Sequence, residues 1–122
     1  MRVLVCGGRD FTNKELLFNT LWNLMDQRKT EEYVCTDEYT IIHGDAKGAD
    51  SLADLFAYTY GTNLDVYPAD WNTYGKAAGA IRNKQMLEEG KPDLVIAFPG
   101  GKGTANMVKL ALEAGIEVMQ VI

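Results

Sequence analysis

The chain has 122 residues and carries 12 Lys and Arg against 17 Asp and Glu, a formal net charge of −5. That length buries one core well and two poorly, so a single domain over residues 1–122 is expected. The acidic balance and scattered basic residues argue against a nucleic-acid partner, and no apolar run reaches the roughly 20 residues of a membrane span.

In chain order, "RVLVCGG" (2–8) reads as a buried strand. The start "MRVLVCGG" is too short and wrongly flanked for a secretory signal, which points to the cytoplasm. Leu16, Leu17, Leu21, Leu24 and Met25 then recur at helical spacing, and Thr12 with Glu15 forms a capping-box signature, which predicts a helix over 13–28. The segment "KTEEYVCTDE" (29–38) has no period and four carboxylates, as a solvated loop would. "TIIHG" (40–44) is the second strand, followed by a helix from about Asp50 to Gly61. "NLDVYPA" (63–69) is the third, followed by a helix over 75–89 that stops at Gly90 with Pro92 beyond. "DLVIAFPGG" (93–101) is the fourth, a helix over 104–114 stops at Gly115, and "IEVMQVI" (116–122) is the fifth strand. Gly61, Gly90 and Gly115 each stand where a left-handed helix C-cap is wanted.

This alternation predicts an α/β fold: a Rossmann-like three-layer sandwich with a five-stranded parallel sheet in the order 3-2-1-4-5. Ligands of such sheets sit beyond the carboxyl ends of the strands, where the strand order reverses. The loops that follow the strands are the ones rich in glycine. After strand one come Gly7, Gly8, Arg9 and Asp10; after strand two, His43, Gly44, Asp45 and Asp50; after strand three, "PADWNTYG"; after strand four, Pro99, Gly100, Gly101, Gly103 and Thr104 in "PGGKGT". A loop entering a helix N-terminus offers unpaired N–H groups and the positive end of the helix dipole, and glycine lets an oxyanion approach. The spacing matches neither the dinucleotide-binding nor the Walker pattern.

Gly79, Arg82, Asn83 and Met86 share one helical face. Arg82 is read as reaching a phosphate or ribose while Gly79 makes room, against the alternative of an ordinary ion-paired surface residue. Arg9 is a second anion ligand. Trp71 and Tyr74 are candidates for stacking on a base or for plain packing. His43 has no Cys or His partner at metal-ligand spacing, and Cys6 and Cys35 form neither a metal motif nor a disulfide framework. No metal and no cofactor are expected, His43 is given a structural or ligand-edge role, and Asp50 is read as a helix-start residue. Asp10 and Asp45 are candidates for accepting ribose hydroxyls or for a general base.

Together, "GGRD", "HGDAKGAD", "PADWNTYGKAAGAIRN" and "FPGGKGT" resemble the SLOG superfamily, specifically its YspA/YpsA-related branch of small Rossmann-like proteins, from Val3 to about Val108. The superfamily includes the "lonely guy" phosphoribohydrolases, which cleave the N-glycosidic bond of nucleoside monophosphates and carry P-G-G-x-G-T-x-x-E with an upstream arginine. The resemblance implies that Pro99, Gly100, Gly101, Gly103 and Thr104 form the phosphate loop and that Arg82 is the upstream arginine. The motif's glutamate falls on Met107, and a thioether can neither stabilise an oxocarbenium-like state nor activate water. The leading expectation is therefore a sensor or sequestering module for a nucleotide-derived small molecule. The alternative is an N-glycosidic hydrolase with a relocated carboxylate, with Arg82, Asp10 and Asp45 as candidate catalytic residues. An oligomeric interaction protein is a third reading, and homo-oligomers are common among the related proteins.

Overall fold

A computed structural model describes residues 1–122. Five strands, β1 (Arg2–Cys6), β2 (Thr40–His43), β3 (Asn63–Val66), β4 (Leu94–Ala97) and β5 (Glu117–Gln120), form one wholly parallel sheet in the order β3-β2-β1-β4-β5. This is the expected α/β, Rossmann-like arrangement. Central β1 is in register with both neighbours, Val3 lying opposite Ile41 of β2 and Leu94 of β4. Strands β1 and β4 are buried on both faces, which is why they read as unbroken apolar runs.

Four long helices flank the sheet: α1 (Lys14–Arg28), α2 (Ala49–Tyr60), α4 (Ala78–Gly90) and α5 (Lys102–Glu113). Successive side chains of a strand point to opposite faces, so β1 splits its residues between two cores. Val3 and Val5 meet Leu17, Leu21 and Met25 of α1 and Phe56 of α2 on one face. Leu4 and Cys6 meet Met86 of α4 and Met107 and Ala111 of α5 on the other. Each fully enclosed Leu or Phe contributes about 1.5–3 kcal/mol. The sheet grows one way through β2 and β3 and the other way through β4 and β5, and right-handed crossovers then place α1 and α2 on one face and α4 and α5 on the other. No helix is long and apolar enough to cross a membrane.

Local details depart from the sequence expectations. The cap of α1 is Asn13 and not Thr12, since the Asn13 carboxamide, one residue closer, accepts from Leu16 N–H at 3.0 Å. Segment 29–38 holds one 3-10 turn, Thr36–Glu38. A short helix α3 (Trp71–Tyr74), absent from the expected elements, is capped by Asp70, which accepts from Thr73 N–H at 3.1 Å. A 3-10 turn, Gly75–Ala77, then precedes α4, which therefore starts three residues later than expected. Helix α5 begins at Lys102, before Thr104. Gly61 and Gly115 do adopt left-handed φ angles of 76° and 74°. Gly90 does not: it is the last residue of α4, lying on Ile42 and Tyr67 of the sheet side, and Lys91 takes the left-handed turn at φ 46°.

Candidate functional site

The loops after β1 and β4 lie against each other at the point where the strand order reverses. Gly8 N–H donates to Pro99 O at 2.9 Å, and Phe98 N–H donates to Cys6 O at 2.9 Å. The glycines make this approach possible. A Cβ on Gly100 would stand 2.6 Å from Gly8 N and 3.0 Å from Gly7 C, and one on Gly7 would stand 2.6 Å from the Ala49 Cβ. Gly101 and Gly103 differ, because a Cβ on either would meet nothing within 4 Å. The glycines of "PGGKGT" therefore divide into one that packs and two that keep space open.

That space is a cleft of about 490 Å³ running from the β1 and β4 loops to α4. Gly7, Gly8, Arg9, Gly79, Arg82, Asn83, Gly101, Gly103 and Thr104, all named as candidates in the sequence, line it. Residues that sequence reasoning passed over line it too, namely Lys76, Lys102 and Asn106, as does Asp50, a post-strand carboxylate read there chiefly as a helix start. Trp71 borders the cleft with the Arg9 guanidinium 5.5 Å from its ring centroid, whereas Tyr74 does not line it. Helix α5 opens onto the cleft with Gly101 at its N-cap and no side chain capping it, and its first turn closes with Ala105 N–H donating to Gly101 O at 3.0 Å. By helix geometry, the N–H groups of Lys102, Gly103 and Thr104 have no intrahelical acceptor.

Other expected residues lie elsewhere. Pro99, Gly100 and Asp10 border a neighbouring hollow over the start of α1. Gly44 and Asp45 line a shoulder of the cleft that also includes Arg9, Trp71 and Arg82. His43 is buried: its Nε2 pairs with Asp54 Oδ1 at 2.8 Å and its Nδ1 accepts from Asp45 N–H at 3.0 Å. An Nδ1 that accepts carries no proton, so the ring is held as the Nε2–H tautomer facing away from the cleft. The glycine that makes room for Arg82 is Gly44 and not Gly79. A Cβ on Gly44 would fall 2.6 Å from the guanidinium carbon, whereas one on Gly79 would meet only the Trp71 ring edge, at 3.5 Å.

Arg82 ties α4 to the loop after β2. One terminal nitrogen donates to Gly44 O, and Nε donates to Asn83 Oδ1 at 3.1 Å. Burial lowers its pKa, and the Asp50 carboxylate is the main charge opposing that shift. Asp50 turns back from the start of α2, and one of its oxygens accepts from Gly44 N–H at 3.1 Å and from Ala46 N–H at 3.2 Å. Burial raises the Asp50 pKa against those bonds and the charge of Arg82. The Cys6 thiol on the cleft wall is pushed up to about 12, chiefly by burial, and is no nucleophile at neutral pH. Met107 is fully enclosed beside Leu4, Met86 and Ala111, so its side chain faces the core and not the cleft.

A doubly wound sheet with glycine turns, a bare helix start and several cations converging at its switch point defines a small Rossmann-like protein with a cleft suited to anionic ligands. Residues 1–74 match YAcAr, the YspA, cpYpsA-related SLOG family, and the chain belongs to that family. The matched segment takes in the loops after β1, β2 and β3 and ends before α4. Over an alignment of 126 residues the chain is 33% identical to the Gene 61 protein of Mycobacterium phage D29, covering 97% of this chain and 94% of that protein. Membership in the family is consistent with a nucleotide-related binding or hydrolase role.

Proposed function

We propose that this protein binds a nucleotide or nucleotide-derived small molecule, as a sensor or sequestering module, with a phosphate on the first turn of α5. The observation that carries this reading is the α5 start. Three N–H groups without intrahelical acceptors face a cleft kept open by Gly101 and Gly103, and Arg9, Lys76, Arg82 and Lys102 line that same cleft. The chain as a whole is acidic, so the positive character is local to the site. Trp71 offers a face on which a base can stack.

Binding is favoured over bond cleavage by Met107, which places a thioether in the core where the resembled hydrolases carry their glutamate. Of the carboxylates, Asp10 borders a different hollow, Asp45 lies on the shoulder, and Asp50 is engaged in holding its own loop.

The test incubates the purified chain, at substoichiometric and equimolar amounts, with nucleoside monophosphates, NAD, ADP-ribose and cyclic nucleotides, followed by chromatography. Intact nucleotide retained on the protein is the expected result. Free base in excess of protein would establish a hydrolase and send the search for its carboxylate to Asp50 first. Arg9→Ala tests the binding site, because Arg9 is exposed and its guanidinium lies against the Trp71 ring. Its affinity for the retained nucleotide should drop about tenfold, the worth of one charge-assisted contact.

A further inference from the structure

We infer that Asn106 turns the NH2 end of its amide, a hydrogen-bond donor, to the ligand in the cleft, because a relay beginning at Arg82 fixes the orientation of two successive amides. An arginine has donors only. The Asn83 atom that faces Arg82 Nε at 3.1 Å must therefore be its oxygen. That leaves the Asn83 nitrogen pointing the other way, where it donates to Gly103 O at 3.2 Å and to the Asn106 side chain at 3.0 Å. The Asn106 atom receiving that bond must in turn be Oδ1, so its NH2 group is left over.

Asn83 is buried, with both ends of its amide engaged, and cannot turn without opposing like partners. Asn106 is only partly buried and lines the cleft, and its Nδ2 has no acceptor within the protein. Reversing the Asn106 amide would bring its NH2 against the NH2 of Asn83 and forfeit the bond between them, at a cost of the same order as a typical hydrogen bond. The polarity set by a guanidinium that also holds Gly44 O, back at the β2 loop, is thus passed across α4 to the wall formed by α5. Asn106 lies on α5 one turn beyond the bare N–H groups of residues 102–104. The group it reads is an acceptor oxygen of the same ligand, a phosphoryl oxygen or a sugar hydroxyl. A ligand that turns a donor amine toward this point is disfavoured.

This inference rests on the binding reading above, and the experiment separates the two. Uniformly 15N-labelled full-length protein is titrated with inorganic phosphate, ribose 5-phosphate and AMP, and the backbone N–H signals of Lys102 to Thr104 are followed beside the Asn106 side-chain NH2 pair. The NH2 pair is assigned by its disappearance in Asn106→Asp. Movement of both sets is expected. Response to phosphate alone assigns the phosphoryl oxygen, and response only from ribose 5-phosphate onward assigns the sugar. Asn106→Ala should weaken AMP binding about tenfold. Asn83→Asp should turn the Asn106 amide around, so that its NH2 signal stops responding while the 102–104 signals still move. Backbone movement with a silent Asn106 NH2 in the unmodified protein overturns the inference and leaves the binding reading intact. Silence from both sets with all three probes overturns the binding reading, and the inference falls with it. The unmodified protein alone decides these outcomes, whether or not Asn83→Asp folds.

Discussion

Two glycine-bearing turns sit on the same edge of the sheet, the β2 loop (43–50) and the β4 loop (99–104), and they treat their backbone N–H groups in opposite ways. In the β2 loop the N–H groups of Gly44 and Ala46 point to the Asp50 carboxylate and that of Asp45 to His43 Nδ1. The loop has supplied its own anion. At the start of α5 no side chain caps the helix, and the adjoining space is kept clear by Gly101 and Gly103. Glycine content alone does not separate these cases. What separates them is whether a nearby side chain satisfies the N–H groups or leaves them for a ligand.

The contrast is broken most forcefully at Gly100, where the β4 loop is structural. Gly100→Ala places a Cβ against Gly8 N and Gly7 C, both backbone atoms that cannot turn away, and should cost about 2–3 kcal/mol in urea unfolding. An unchanged midpoint would mean the two loops are not packed as described.

In the β2 loop, Asp50→Ala should cost about 1–3 kcal/mol by leaving the buried Gly44 N–H and the half-buried Ala46 N–H without an acceptor. Asp50→Asn should cost much less, since both N–H groups point to one oxygen that an amide can replace. Equal losses in the two variants would show that the charge, and not the acceptor, holds the loop.

The pH dependence sharpens the same point. Burial raises the Asp50 pKa above its ordinary value of 3.8, so between that value and the raised one the folded protein binds more protons than the unfolded chain. The Asp50 contribution to stability therefore falls as pH rises through this window, and Asp50→Asn removes the fall. Parallel stability–pH curves for the two proteins would refute that sign.

The smallest effect on stability is expected at Gly103, on the open side. Gly103→Ala, in the first turn of α5, should stabilise by up to about 1 kcal/mol through helix propensity while weakening nucleotide binding, since its methyl group enters the cleft. Thermal melts and binding isotherms on one sample check both signs at once. Unchanged affinity would remove the α5 start from the binding site.

Much of the frame was legible because it rests on local and periodic signals. The double-sided burial of β1 and β4 shows as continuous apolar runs, and Gly61 and Gly115 mark helix ends through the left-handed turn they permit. Asp70 and Thr73, three residues apart, held a readable signal for α3 that an aromatic reading of Trp71 and Tyr74 obscured. Asn106 carried no such signal, because an asparagine two residues past Thr104 looks like any polar helix residue until Asn83 is seen beside it.

The sequence by itself determined the order of elements, the parallel sheet and the edge on which its glycine turns gather. Those follow from hydrophobic period, chain handedness and the conformational freedom of particular residues. Only the tertiary structure decided that Asp50 belongs to its own loop, that Met107 faces the core, that Gly44 and not Gly79 accommodates Arg82, and that Asn106 shows the cleft its NH2 group. Each depends on which groups from distant segments come within hydrogen-bonding or van der Waals reach, and that is set by how α4 and α5 pack on the sheet.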